Sequence, residues 1–184
     1  MSGEAEKELL LHTCCAPCAG GCVAFLLENS RRVALCYSNS NLMDAAEYEK
    51  RLASVRRLAE HYGLELLIDP YDHAAWLKFI AGLEKEPERG KRCGKCFEFS
   101  LRRTAALAKQ RGENFSTTLT VSPHKNSAQV FAALGDEKFE HIDFKKGGNY
   151  AKSCQIAKEL NFYRQKFCGC EFSYLAAGKP EREA

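Results

Sequence analysis

Seven of the ten cysteines in this 184-residue sequence lie in three tight groups. The groups are Cys14 and Cys15 with Cys18, Cys93 with Cys96, and Cys168 with Cys170. Cysteines that are adjacent or one residue apart are poorly suited to a disulfide-bonded core. A soft metal, by contrast, needs several thiolates that converge from different loops. The spacing therefore predicts a metal site assembled from loops near residues 14–18, 93–96 and 168–170.

The kind of metal stays open on the residues alone. One zinc ion takes four ligands, so a site made from Cys15, Cys18, Cys93 and Cys96 would leave the other three grouped cysteines unexplained. Seven candidate thiolates favour an iron–sulfur cluster over structural zinc. Thiol–disulfide exchange is a further alternative, because a strand, then Cys15-Ala16-Pro17-Cys18, then a helix resembles a thioredoxin turn. The extra cysteines have no role in that scheme.

The remaining three cysteines have a simpler explanation. Cys22 lies one turn from Phe25 on a predicted helix, Cys36 lies inside a predicted strand, and Cys154 shares a helix face with Tyr150. Free cysteine commonly behaves as a small buried hydrophobic residue. We therefore predict that Cys22, Cys36 and Cys154 pack in the core.

Composition limits the class of protein. The fractions of 45% hydrophobic and 28% charged residues are those of an ordinary globular protein. The sequence shows neither a secretory signal nor an apolar run of roughly 20 residues that could span a bilayer. We expect a cytoplasmic protein without membrane contact, in which thiols stay reduced. The formal net charge of +3 permits a nucleic-acid partner without requiring one.

Short apolar runs alternate with amphipathic stretches, which predicts alternating strands and helices. Strands are predicted over residues 9–12, 32–37, 64–68, 115–121 and 141–144. Helices are predicted after the 14–18 turn, over 44–62, over 74–112 with an interruption near 87–90, and over 149–160. This order implies one α/β domain over residues 1–184, with a mostly parallel sheet and helices on both faces. The expected class is Rossmann-like and related to the nucleotide-hydrolase and PP-loop architecture.

The first cysteine group directly follows the first predicted strand. In parallel sheets, ligands bind beyond the carboxyl ends of the strands. Nucleotide-binding proteins of this class place a glycine-rich loop there to hold phosphate. Here Cys14-Cys15-Ala16-Pro17-Cys18 occupies that place. We therefore expect a thiolate cluster instead of a phosphate loop.

Taken in order, the motifs resemble the cobalamin-independent epoxyqueuosine reductases, the QueH family. The motifs are Leu11-His12-Thr13-Cys14-Cys15-Ala16-Pro17-Cys18, Tyr37-Ser38-Asn39-Ser40-Asn41, Glu47-Tyr48-x-x-Arg51, Arg92-Cys93-x-x-Cys96, Thr117 to Asn126, Asp143-Phe144-Lys145-Lys146 and Tyr163 to Ser173. They cover nearly the whole chain. Ser40 and Phe167 depart from the Pro and Tyr usual in the family, so the positioning of substrate is expected to differ.

The resemblance implies an activity and its cofactors. The activity is two-electron deoxygenation of epoxyqueuosine to queuosine at the tRNA wobble position, the last step of queuosine biosynthesis. The implied cofactors are a [4Fe-4S] cluster and a second metal ion, iron or zinc. Three of Cys14, Cys15, Cys93 and Cys96 would hold the cluster. Cys18, Cys168 and Cys170 would serve the second ion or form a catalytic redox pair. The implied partners are the tRNA anticodon loop and a low-potential donor resembling ferredoxin or flavodoxin.

The reaction also needs a proton donor and a substrate-binding surface. His12 is the first candidate donor, with Asp72, His124 and Tyr163 as others, and a structural role remains open for each. Substrate-binding candidates are Tyr37, Asn39, Arg92, Ser122, Lys125, Tyr163, Arg164 and Gln165. Basic residues concentrate around the cysteine loops, which favours contact with phosphates, and aromatic side chains could stack a base that leaves the loop. Trp76 and Phe97 could also stack it, although core packing explains both.

Two rival functions remain at this stage. In a zinc-stabilised RNA-binding module the cysteines would only hold the fold, and removing the metal would unfold it. A cytoplasmic thiol–disulfide oxidoreductase would keep its activity without metal.

Overall fold

A four-stranded parallel sheet forms the centre of the computed structural model, which describes residues 8–178. The strands are β1 (Leu9–Thr13), β2 (Val33–Tyr37), β3 (Leu66–Ile68) and β4 (Asn114–Thr117), in the spatial order β3-β2-β1-β4. Leu9 pairs with Val33 on one side and with Asn114 on the other. The predicted α/β class with a parallel sheet is confirmed. The prediction of one domain over the whole chain stays a prediction.

Seven α-helices connect or follow the described strands. They are α1 (Ala16–Glu28), α2 (Ala45–Tyr62), α3 (His73–Phe79), α4 (Lys91–Arg111), α5 (Ser127–Ala132), α6 (Asn149–Glu159) and α7 (Glu171–Ala176). Both ends of α2 carry the capping residues expected from the sequence. At the start, the Asp44 carboxylate accepts a hydrogen bond from the Glu47 amide at 2.7 Å, and at the end Gly63 has φ 63°. None of the described helices is both long and apolar enough to cross a membrane.

The fourth predicted strand is shorter than expected, and the fifth does not form. The chain leaves β4 after Thr117 and continues as a 3₁₀ helix over Thr118–Val121. Threonine hydroxyls explain the change, because Thr117 Oγ1 accepts from the Leu119 amide and Thr120 Oγ1 donates to the Ile142 carbonyl. At the predicted fifth strand the described chain makes one isolated bridge, between Phe115 and Phe139. Helices α5 and α7 were not predicted from the sequence.

The two central strands, β1 and β2, are buried on both faces. Leu9 and Leu11 of β1 pack in the core beneath α1, α2 and α6, and Leu10 packs in a second core beneath α4. This is the alternation expected of a strand covered on both sides. Cys22 and Cys36 are fully buried in these cores, as predicted. Helices therefore flank the sheet on both sides of the edge at which its strands end.

Candidate metal centre

The first cysteine group lies at the carboxyl end of β1, the position expected from the sequence. Cys14 and Cys15 form the turn from β1 into α1, and Pro17 occupies the first turn of α1. The Sγ atoms of Cys14, Cys15 and Cys18 all lie within 4.8 Å of one another. We call these three residues the thiol triad. Three sulfur atoms at this spacing can bind a metal together.

The early end of β4 supports the triad. Because the chain turns at Thr118, the hydroxyl of Thr118 lies beside Cys14. It accepts a hydrogen bond from the Cys14 amide at 3.3 Å and donates to the Cys14 sulfur at 3.5 Å. The feature that sequence reasoning missed is therefore one that holds the triad in place.

The three thiols of the triad differ in proton affinity. Hydrogen bonds from Cys14 and Cys18 hold the pKa of Cys15 well below its usual value, and Gln165 Nε2 donates a further bond to its sulfur at 3.0 Å. The same shared bonds, together with burial, raise the pKa of Cys18 well above its usual value. One thiolate is thus stabilised by its neighbours. A thiolate is the form that binds metal.

The second set of cysteines comes from two other loops. Cys93 and Cys96 lie in the first turns of α4, and Cys168 and Cys170 lie just before α7. Burial raises the pKa of the Cys96 thiol, and the neighbouring charges of Cys168 and Cys170 raise it further. Burial also raises the pKa of Cys170, to about 11. We call these four residues the outer thiols.

One member of the triad and the outer thiols meet at a cavity of about 560 Å³. Cys18 and all four outer thiols line it. A smaller pocket of about 40 Å³, lined by Cys14, Cys18, Cys96 and Cys168, adjoins it. The three cysteine loops therefore converge, as the spacing predicted. The structure groups Cys18 with Cys14 and Cys15, and the division of ligands that the resemblance implies stays a prediction.

Cationic side chains surround the cavity. Arg89, Arg164 and Lys166 are exposed at its wall, and Lys125 borders both the cavity and the smaller pocket. Burial alone would lower the pKa of the Lys125 ammonium, but the charges of nearby thiols raise it overall, with Cys168 contributing most among them. The nearby thiols therefore favour the charged form of this amine.

Several predicted substrate-binding residues line these cavities. Arg92, Ser122, Lys125, Arg164 and Gln165 line the larger one, and Asn39 lines the smaller one. Arg92 is nevertheless buried, because its guanidinium donates to the Glu84 carbonyl at 2.9 Å and lies over the Phe172 ring. Arg92 therefore stabilises the loop before α4 and does not lie on an exposed surface.

Two predicted tyrosines do not border either cavity. Tyr37 is 0% exposed, and its hydroxyl donates to the Tyr48 carbonyl at 3.0 Å. The Tyr163 hydroxyl donates to the Glu47 carboxylate at 3.0 Å. Tyr37 is a core residue and the Tyr163 hydroxyl is bonded to a buried acid, and the predicted stacking role of the half-buried Tyr163 ring stays a prediction. Sequence reasoning could not separate an aromatic residue in the core from one at a surface.

The candidate proton donors also differ in position. His12 Nε2 donates to the Ser38 carbonyl at 3.1 Å and Nδ1 lies 2.8 Å from the Thr117 hydroxyl, so both ring nitrogens are engaged. Burial lowers the pKa of His12, which keeps the ring neutral. Asp72 caps α3 by accepting from the Ala75 amide. His124 is exposed and lines the larger cavity.

Cys154 of α6 was predicted to pack in the core, but it faces the cavity together with Tyr150. Cys154 is half-buried and Tyr150 is 43% exposed, and both line the larger cavity. Their spacing of four residues showed a shared helix face. What that face contacts was not visible from periodicity. Of the three cysteines assigned to the core, Cys154 is thus the exception.

The fold and site define a class of protein: an α/β protein whose parallel sheet carries a thiol cluster where related folds bind phosphate. A sequence model of one family, described as epoxyqueuosine reductase QueH, matches residues 9–176, and the chain belongs to this family. Curated proteins named epoxyqueuosine reductase QueH are similar over their length. The Thermotoga maritima protein is 36% identical over 177 residues, which cover 91% of this chain and 90% of the relative.

Two further relatives carry the same name. The protein from Dehalococcoides mccartyi is 34% identical over 96% of this chain and 98% of its own length. The protein from Streptococcus pyogenes serotype M1 is 32% identical over 94% of this chain and 74% of its own length. The match to reductases favours redox chemistry at the site over a purely structural zinc.

Proposed function

We propose that this chain reduces epoxyqueuosine to queuosine in the anticodon loop of tRNA. The observation that carries the proposal, beside family membership, is the thiol triad, whose Cys18 lines a cavity with cationic walls. Neither rival function explains this arrangement. A structural zinc needs no substrate-sized cavity beside it, and a dithiol oxidoreductase needs no third thiol in the triad. The cytoplasmic location stays a prediction.

The donor set fits an iron–sulfur cluster. Cys14, Cys15 and Cys18 would supply three thiolate ligands to a [4Fe-4S] cluster. The outer thiols would hold a second ion, iron or zinc. Bound there, the metals would pass electrons singly from a ferredoxin- or flavodoxin-like donor and act as Lewis acid on the epoxide oxygen. The remaining steps fall to the chain's own side chains.

Lys125 has the properties that the departing oxygen requires. Its ammonium borders both cavities and keeps its proton because nearby thiols favour the charged form. We assign to Nζ the delivery of one of the two protons with which the oxygen leaves as water, and the second proton comes from solvent. His12 is less suited, because both ring nitrogens are already engaged. The amine also balances part of the negative charge of the thiolates.

The cavity mouth suits an RNA loop. Arg89, Arg164 and Lys166 can contact phosphates, and Tyr150 presents an exposed ring at the cavity wall. Bases that leave an RNA loop stack on aromatic side chains. In this proposal Tyr150, and not Tyr37, stacks the modified base or its neighbour.

The test is reduction of tRNA that carries epoxyqueuosine by anaerobically purified protein. Iron, zinc and acid-labile sulfide are measured first, and queuosine is then measured by mass spectrometry of the digested tRNA. We expect iron and sulfide in the protein and queuosine that forms only with a low-potential reductant. If the protein contained zinc without sulfide, even after reconstitution, the zinc-stabilised RNA-binding module would be the remaining explanation. Activity of the metal-free protein would instead favour the dithiol oxidoreductase.

A matched pair of variants locates the chemistry. Cys18 and Cys22 lie one turn apart on α1, but only Cys18 belongs to the triad. Cys18→Ala should lose cluster and turnover, whereas Cys22→Ala, in the core, should keep both with a stability loss of about 1 kcal/mol. Equal losses of cluster in the two variants would contradict this assignment.

A further inference from the structure

The motif Glu47-Tyr48-x-x-Arg51 has no role in the function described so far. Arg51 lies on α2 and is only 3% exposed. Its Nε donates to Glu47 Oε1 at 2.9 Å, and the Tyr163 hydroxyl donates to the same carboxylate. A buried charge is costly unless it is paired and hydrogen-bonded. The pair is satisfied, so the rest of the guanidinium is free to bond elsewhere.

The other nitrogens of Arg51 bond to the loop that carries Cys168. Nη1 donates to the Cys168 carbonyl at 2.9 Å, and Nη2 donates to the Phe167 carbonyl at 3.4 Å. The guanidinium carbon also lies 5.5 Å from the centre of the Phe167 ring. Arg51 thus holds two successive peptide units of one loop. The planar fork of arginine allows this and the lysine ammonium does not.

The same loop is held from a second side. The Met43 amide donates to the Gly169 carbonyl at 3.0 Å. Gly169 has φ 147°, and a Cβ there would lie 2.5 Å from Leu42 Cδ2. The loop has no helix or strand of its own between α6 and α7. Its position therefore depends on contacts with the segment that begins α2.

Arg51 also borders the pocket between the two sets of thiols. The smaller pocket is lined by Arg51 together with Cys14, Cys18, Cys96 and Cys168. One side chain thus contacts the Cys168 loop and faces the triad. A metal-binding or catalytic site needs its side chains within about 0.5 Å of the productive geometry. A loop reaches this precision only when neighbouring side chains hold it in place.

We propose that Arg51 is a positioning residue that sets the Cys168 thiol opposite the thiol triad. It acts through the backbone carbonyls of Phe167 and Cys168, not through its charge alone. The geometry does not depend on which reaction the site performs. Its effect on turnover rests on the proposed function.

The chain offers a matched control on the same helix. Arg57 of α2 donates to the carbonyls of Leu160 and Asn161, and its guanidinium carbon lies 5.8 Å from the centre of the Phe162 ring. It is thus a second arginine that holds a loop, but Arg57 borders neither cavity. Arg51→Lys and Arg57→Lys each keep the positive charge and lose the fork.

The first readout is the rate at which iodoacetamide alkylates Cys168 in the reduced, metal-free full chain, followed by mass spectrometry of its peptide. Loss of a charged hydrogen bond should free the loop and raise the rate about tenfold in Arg51→Lys. Cys154 of α6, in the same cavity, should keep its rate, and Arg57→Lys should behave as wild type at both. An unchanged Cys168 rate in Arg51→Lys would overturn the proposal, as would an equal rise at Cys154.

The second readout is the thiolate-to-cobalt absorption of the Co²⁺-loaded chain. If Cys168 is set toward the triad by Arg51, the band should weaken in Arg51→Lys and not in Arg57→Lys. An undiminished band in Arg51→Lys would overturn the positioning role. These two readouts use no tRNA. If both succeed but the wild type does not reduce epoxyqueuosine, the proposed function fails and the positioning role remains.

Arg51→Lys changes the partner of the buried Glu47 carboxylate, so the folding of this variant must be measured separately. The double variant Glu47→Gln with Arg51→Met removes both charges and avoids an unpaired buried ion. Circular dichroism should show a wild-type fold, and alkylation of Cys168 should again be faster. A folded double variant with wild-type alkylation at Cys168 would contradict the inference.

Discussion

Among the cavity-lining side chains, Trp76 is unusual because it is fully buried yet has a donor without a partner. Among the described residues, no acceptor lies at hydrogen-bond distance from its indole Nε1, although the N–H is near enough to Cys96 to lower the pKa of that thiol. Buried donors are seldom left unsatisfied. A thiolate or sulfide bound to metal would give this N–H an acceptor. Hydrogen bonds of that kind tune iron–sulfur sites.

Trp76 also provides a local optical signal, because it is the only tryptophan in the sequence. We expect its fluorescence to fall when Co²⁺ occupies the site, since a coloured ion near the indole accepts its excitation energy. Trp76→Phe should abolish the signal and still bind cobalt by elemental analysis. Fluorescence that does not respond to bound cobalt would place the metal away from Cys96.

At the scale of elements, the contact between α1 and α6 sets the position of the thiol triad. Gly21 lets the two backbones approach: its amide donates to Ser153 Oγ at 2.9 Å, and Ser153 Oγ donates to the Cys18 carbonyl. A Cβ at Gly21 would lie 2.1 Å from the Asn149 carbonyl oxygen. The helix that begins at the triad thus has little freedom to move.

Two adjacent glycines of α1 test this contact. Gly21→Ala should destabilise the protein by about 3 kcal/mol, because rigid backbone stands in the way. Gly20→Ala should change stability by less than about 1 kcal/mol, because its Cβ meets only the side chain of Ile156 and alanine favours the helix. Urea unfolding measures both. Similar losses for the two variants would mean that the helices can separate at low cost.

At the scale of the whole molecule, the two cores that pack on the sheet are largely separate from the thiol triad, whereas a smaller cluster of Trp76 and Ile80 includes Cys170. The sheet is packed on both faces by apolar residues, and the thiol triad lies beyond the ends of the strands. A fold of this size can bury enough apolar surface without a metal. The cysteines are therefore expected to serve chemistry more than folding.

Removal of metal tests that separation. After anaerobic chelation, far-UV circular dichroism should keep its wild-type shape and thermal unfolding should stay cooperative, while reductase activity disappears. The reason is that the strand pairing and both cores contain no member of the triad, although Cys14 and Cys18 border them. Unfolding on chelation would instead support the zinc-stabilised module.

The cationic cavity wall predicts salt-dependent binding of tRNA. Replacing Arg164 and Lys166 by alanine should weaken binding and reduce the slope of log K against log salt by ~1.4, about 0.7 for each of two lost phosphate contacts. Lys109→Ala, an exposed change on α4 away from the cavity, should have little effect. An unchanged slope in the double variant would place the RNA on another surface.

Local patterns in the sequence determined the parallel α/β fold, the ends of α2 and the place of the first thiols. Each of these depends on neighbours in sequence: an apolar run, an N-cap, a glycine in the left-handed conformation, or a turn after a strand. The prediction failed at residues 118–121 and 141–144, where threonine hydroxyls bond to segments distant in sequence. The pairing of a strand is a non-local property, and periodicity alone does not specify it.

What each helix face contacts became visible only once the elements were packed together. The packing brought Cys154 and Tyr150 to the cavity, buried Tyr37 in the core, and joined Arg51 to the Cys168 loop across 117 positions of sequence. Spacing shows that residues share a face, but the partner of that face depends on packing between elements. The sequence by itself therefore determined which residues could do chemistry, and the packing of distant loops decided which of them can do it together.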